Sequence, residues 1–235
     1  MTAAIQSIES KFGQTTVSST GTGQALIHTI ANWMWAPMIL MGLMSLATAV
    51  GLGIAQASVG SDLGEEFTAL RQANFETLKP LTAGFLFLGE ALILSGIAFL
   101  LGTILGALRW GGGEVQESAG ASVKTLKMPL SAKAFIMLMM VGLVAELVAF
   151  GTLLFVAGEA HSAWIGASAA GVPGDIGAFD RAAAYAAWAN PLKEVALAMI
   201  LTSIVLALYT ISNVLGFQFS RIRELVLGQD QGGAS

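Results

Sequence analysis

The sequence predicts an all-α integral membrane protein with four antiparallel transmembrane helices. Charged residues make up only 11% of the 235 residues, whereas an ordinary soluble domain carries roughly 25%. The mean hydropathy is +0.73. Apolar residues, 55% of the chain, are gathered into runs of at least about 20 residues, the length that a helix needs to cross a bilayer.

Four runs are predicted to span the membrane, and none contains Lys, Arg, Asp or His. None alternates apolar and polar residues as a membrane β-strand does, so each is predicted to be a helix. The spans lie at about residues 33–57, 80–108, 134–158 and 195–219. They form a transmembrane domain, 33–219, between an N-terminal cytoplasmic segment with an interfacial lead-in, 1–32, and a cytoplasmic tail, 220–235.

The outer connections are predicted to contain short surface helices. The first, within residues 58–79, ends at Pro80, because proline lacks the backbone N–H that helix propagation requires. The second begins at Asp180, an acceptable N-cap before an alanine-rich stretch. The inner connection, 110–133, opens with three glycines and is predicted to be a polar loop.

The basic residues predict the orientation of the spans. Seven of the eleven Lys and Arg residues flank one side of the predicted domain, and the more basic side of a membrane protein usually faces the cytoplasm. We therefore expect both termini to be cytoplasmic, in a membrane of the bacterial cytoplasmic type.

Composition argues against several classes of function. The chain has no Cys, two His and a net charge of −4, which argues against thiolate sites, a Ser–His–acid triad and nucleic-acid binding. The Gly-rich stretch before Glu114 lacks the Lys and Ser or Thr that a phosphate-binding loop requires. We predict no catalytic residues, no metal and no cofactor.

Two carboxylic side chains lie within the apolar spans. Glu90 in the second span and Glu146 in the third are both predicted to lie near the bilayer midplane. No basic side chain is available in the spans to neutralise them, so they must be protonated, share a proton or hold a cation. Hydroxyl side chains are expected in the same layer, at Ser45, Thr48, Thr202 and Ser203.

The carboxyl groups allow three interpretations. They provide interhelical hydrogen bonds within the protein or with a partner, they handle protons or cations, or they contact a metal or cofactor. Dimetal carboxylate sites use Glu-x-x-His pairs, and neither His lies at that spacing from a glutamate. The third interpretation is therefore the least favoured.

Small residues indicate where helices can approach closely. Gly102 and Gly106 form a G-x-x-x-G pair in the second span, and Ala145 and Ala149 flank Glu146 in the third. These four are the predicted packing residues.

The inner half of the fourth span is more polar than the rest of that span. Tyr209 and Asn213 lie there, and Arg221 and Arg223 follow the span, so a lipid or quinone head group can dock against this surface. The simpler interpretation is that the arginines anchor the helix at the interface.

The sequence-based expectation for function is a non-catalytic membrane subunit that anchors, stabilises or assembles a larger membrane complex. Its partners are the lipid bilayer and other membrane subunits or further copies of itself. The first alternative is a small oligomeric protein that translocates protons or cations through the midplane glutamates. The second alternative is an enzyme subunit that contributes to a quinone or lipid pocket.

Overall fold

The computed structural model describes residues 14–16, 22–65, 67–118, 124–126, 128–168 and 171–232. Four long helices dominate the described chain: α1 (Thr22–Glu65), α2 (Ala69–Ser118), α3 (Leu130–Trp164) and α4 (Ile176–Gly232). Each is long and apolar enough to cross a membrane. Large apolar side chains are exposed on all four helices, as expected for helices that face lipid or other subunits.

The predicted separate surface helices are wrong, because both outer stretches belong to the long helices. Three proline residues lie inside these helices. α1 continues to Glu65, and α2 already begins at Ala69 and includes Pro80. Likewise α4 begins at Ile176 and includes Pro191. Interior proline is tolerated in long apolar helices because neighbouring groups satisfy the freed backbone atoms.

The N-cap of α4 is Asp175 rather than the predicted Asp180. The Asp175 carboxylate accepts a hydrogen bond of 3.0 Å from the backbone N–H of Ala178, which is the bond that an N-cap side chain makes. Asp180 lies one turn further along the helix.

The glycine run at the end of the second span is also helical, because α2 extends to Ser118. A methyl group at Gly112 would lie 1.9 Å from the Gln218 side chain, so that side chain occupies the space beside the glycine. Gln116 donates to the Gly112 carbonyl oxygen at 3.0 Å. This packing overrides the low helix propensity of glycine.

The predicted polar inner connection contains a short strand. Residues Lys124–Leu126 (β2) pair antiparallel with Gln14–Thr16 (β1). Strands of three residues are too short to be recognised from the alternation of apolar and polar residues. Of the predicted cytoplasmic segment and tail, residues 1–13, 17–21 and 233–235 lie outside the described residues.

The chain divides into two compact units. The first comprises Ala36–Gly96 and Met139–Leu201, and the second comprises the described parts of Met1–Trp35, Ile97–Leu138 and Thr202–Ser235. The candidate site lies in the first unit.

In the first unit, α1 contacts α2 along a series of small and aromatic residues. Gly42 lies against Gly89 and Ile93, Gly53 faces Thr82, and Gly60 lies against Phe75. α2 contacts α3 at Phe85 and Phe150, whose rings are 5.3 Å apart edge to face.

Contacts between α3 and α4 also follow a regular series in the first unit. They pair Gly142 with Ile200, Phe155 with Tyr185, Glu159 with Arg181 and Trp164 with Phe179. The Glu159–Arg181 ion pair has an N–O distance of 2.9 Å.

The core-facing residues of α3 follow a seven-residue repeat. Buried positions recur at alternating spacings of three and four residues: Met139, Gly142, Glu146, Ala149, Leu153 and Val156. This spacing is that of the seam of a coiled coil. It places one carboxylic side chain in an otherwise apolar seam.

Candidate functional site

Glu146 lies in the interior of the first unit. Its residue exposure is 0%, and neither carboxyl oxygen has a hydrogen-bond partner among the described residues. An unpartnered carboxyl group in an apolar interior is expensive, because burial removes it from bulk water without providing a hydrogen-bond partner. Glu146 is therefore a buried polar group whose burial costs free energy.

Glu90 lies in a different environment, on an exposed face of α2. It lines an open cleft of about 380 Å³ between α2 and α4 in the first unit. The other lining residues are apolar: Ile93, Leu94, Leu197 and Leu201. No described residue forms a hydrogen bond or an ion pair with Glu90.

The two glutamates are not joined to each other. Because both oxygens of Glu146 lack a partner, no hydrogen bond links it to Glu90. One carboxyl group is enclosed by the helices and the other faces outward. The two carboxyl groups therefore do not form a shared site, and only that of Glu90 is accessible to a partner from outside.

The predicted hydroxyl side chains have different roles in the structure. Ser45 is buried and donates to the Phe85 carbonyl oxygen at 2.8 Å, which joins α1 to α2. Thr48 is exposed and donates to the Met44 carbonyl oxygen of its own helix at 2.9 Å. Thr202 is exposed and Ser203 is fully buried, and both belong to the second unit.

Two buried hydroxyl groups of α2 were not singled out from the sequence. Ser95 and Thr82 have buried side-chain oxygens without a partner among the described residues. The signal for Ser95 was present, since it is a small polar residue beside Gly96 within an apolar span. Its burial depends on how α2 is rotated, which the residue pattern did not reveal.

Ser45 and Ser95 form a matched pair for mutagenesis. We expect Ser45→Ala to lower the free energy of unfolding by about 0.6 kcal/mol, the typical strength of an interhelical hydrogen bond in a membrane protein. Ser95→Ala is expected to leave stability unchanged or raised, because it removes an unpartnered hydroxyl. Reversible unfolding in detergent micelles measures both, and equal losses for the two variants would contradict this assignment.

The predicted packing residues are only part of the observed close contacts. Gly102 lies in the second unit, where a methyl group would lie 3.8 Å from Ala31 and 3.9 Å from Phe135. Ala149 is fully buried, while Gly106 and Ala145 are half-buried. Much tighter approaches occur at glycines that were not predicted, among them Gly42, Gly89 and Gly142.

Two of the four predicted polar residues near the end of α4 form side-chain contacts within that helix. Asn213 donates to the Tyr209 carbonyl oxygen at 2.9 Å. Arg221 is buried and forms an ion pair with Glu224, although its Nε atom has no partner among the described residues. Tyr209 and Arg223 are exposed.

Among the residues that the structure describes, no group of three or more His, Cys, Asp or Glu side chains is close enough together to hold a metal ion. Comparison of the chain with protein-family models, with curated proteins and with solved structures found no match. Functional inference therefore depends on the two carboxyl groups and their surroundings.

Proposed function

We propose that the chain is an integral protein of a bacterial-type cytoplasmic membrane with four antiparallel spans and cytoplasmic termini. The contact series support alternating directions, since positions along α1 increase as their partners along α2 decrease, and the same holds for α3 and α4. The excess of basic residues on one side supports the orientation.

The proposed function is that of a non-catalytic subunit that anchors, stabilises or assembles a larger membrane complex. The observation that carries this proposal is the position of Glu90, which presents a carboxyl group outward from an apolar cleft. A charged side chain near the bilayer centre costs about 2.5–3.5 kcal/mol on insertion scales. This cost is removed when another helix associates with the chain and provides a hydrogen-bond or ion-pair partner for the carboxyl group.

Extraction from native membranes tests this proposal. The tagged chain is solubilised in a mild detergent, and the mass and composition of the purified particle are measured. We expect other membrane proteins in fixed stoichiometry and a particle much heavier than the 24.3 kDa chain. A particle that contains only copies of this chain and lipid would contradict the proposal.

A second candidate, proton or cation translocation, is favoured by Glu146. A buried carboxyl group without a partner is the kind of group that intramembrane proton relays use. A pathway would have to reach a side chain that is 0% exposed, so translocation requires the helices to open. Proton flux into liposomes that contain the purified protein is the measurement that distinguishes this function from a purely structural one.

A further inference from the structure

The cleft beside Glu90 combines apolar walls with one carboxyl group. Its walls are the apolar side chains of Ile93 and Leu94 on α2 and of Leu197 and Leu201 on α4, and the carboxyl group is its single ionisable group. The exposed carboxyl has no partner among the described residues. A partner that fits must therefore offer apolar contact area and one group complementary to a carboxylate.

Lysine and arginine side chains have both properties. Their aliphatic stems pack along apolar surface while the charged head extends to a polar partner. Ionisable residues within membranes usually pair with one another, and an ion pair neutralises both charges. A hydroxyl or amide donor would leave the charge of a carboxylate uncompensated.

A second copy of this chain does not supply such a residue. The four apolar spans contain no Lys, Arg or His, so another copy offers no cation at the depth of Glu90. We propose that the cleft binds a transmembrane helix of a different protein, and that a Lys or Arg of that helix pairs with Glu90. This inference depends on the proposed role as a complex subunit and specifies the chemistry of its partner.

Photo-crosslinking in native membranes tests the location and the chemistry together. A benzophenone amino acid replaces Leu197 on the cleft wall, and the control replaces Leu147, which is exposed on α3. We expect Leu197 to cross-link to a foreign apolar segment that contains Lys or Arg, with a much lower yield from Leu147. Cross-links only to lipid, to this chain or to a segment without a basic residue would overturn the inference.

Neutralisation of Glu90 tests the charge requirement. Glu90→Gln is expected to lower the recovery of the partner at least about tenfold, a change equivalent to 1.4 kcal/mol, whereas Glu90→Asp retains more of it. The matched control is Glu114→Gln, which neutralises an exposed carboxyl on the same helix outside the cleft. Unchanged recovery with Glu90→Gln would overturn the ion pair.

A double variant distinguishes loss of the ion pair from misfolding of the chain. Removal of one member of a buried ion pair costs more than replacement of both by apolar residues. We therefore expect Glu90→Leu to release the partner, and the same change combined with Leu at the partner's basic residue to restore recovery. Absence of any complex with the wild-type chain would instead refute the proposed function, so the two failures are distinguishable.

Discussion

Gly89→Ala is expected to lower the free energy of unfolding by about 1–3 kcal/mol, the usual cost of overpacking. A methyl group at Gly89 would lie 2.7 Å from the Leu46 side chain and 2.9 Å from the Gly42 carbonyl oxygen. The Leu46 side chain can change rotamer, but the carbonyl oxygen is part of the α1 backbone. The two helices would therefore have to move apart, and Gly42→Ala should act in the same way because its methyl would lie 2.9 Å from the Gly89 carbonyl oxygen.

The control for this prediction is Gly51→Ala, where nothing lies within 4 Å of the added methyl group. Alanine is a better helix former than glycine by about 1 kcal/mol, so Gly51→Ala should be neutral or stabilising. Unfolding of the purified variants in mixed micelles measures the difference. If Gly89→Ala proves as stable as Gly51→Ala, α1 and α2 do not pack closely at these glycines.

The helical class could be predicted from the sequence because it depends on composition and run length. Long stretches without Lys, Arg or Asp leave few alternatives to a membrane-spanning helix. The helix ends were less predictable. Pro80 suggested a boundary, but it lies inside α2, because contacts with other helices decide whether an interior proline is tolerated.

Close packing between helices was also difficult to predict. The sequence predicts Gly102 and Gly106 as packing residues because they are four residues apart on one helix. A much closer approach in the first unit instead joins Gly42 with Gly89, single glycines on different helices. Which glycine meets which depends on the axial alignment of two helices, and no spacing within one helix encodes that alignment.

The rotation of each helix limited the prediction of the site in the same way. Glu90 and Glu146 were identified by the cost of a carboxyl group in an apolar span. Because the surrounding residues are apolar on every side, the pattern has no amphipathic direction. The sequence alone therefore could not show that Glu146 is enclosed while Glu90 faces outward.

Glu146→Met is expected to raise the free energy of unfolding by about 1–3 kcal/mol, which is the cost of an unsatisfied buried polar group. Both carboxyl oxygens lack partners among the described residues, and the seam position between Gly142 and Ala149 is otherwise apolar. Methionine fills a similar volume with a flexible apolar chain. The matched control is Glu90→Met in the isolated chain. Because the Glu90 carboxyl is exposed whether or not the helices pack against each other, little change in the free energy of unfolding is expected.

Proton flux in liposomes separates the two functions when it is measured on the Glu146→Met variant together with the change in stability. A stabilised variant with unchanged background flux means that Glu146 lowers stability without transporting protons in the isolated chain. A stabilised variant that loses a wild-type flux means that the carboxyl is retained for transport at the expense of stability, as is common at functional sites. A destabilised variant would contradict the unpartnered state of Glu146, because the loss of stability would require a favourable interaction that the substitution removes.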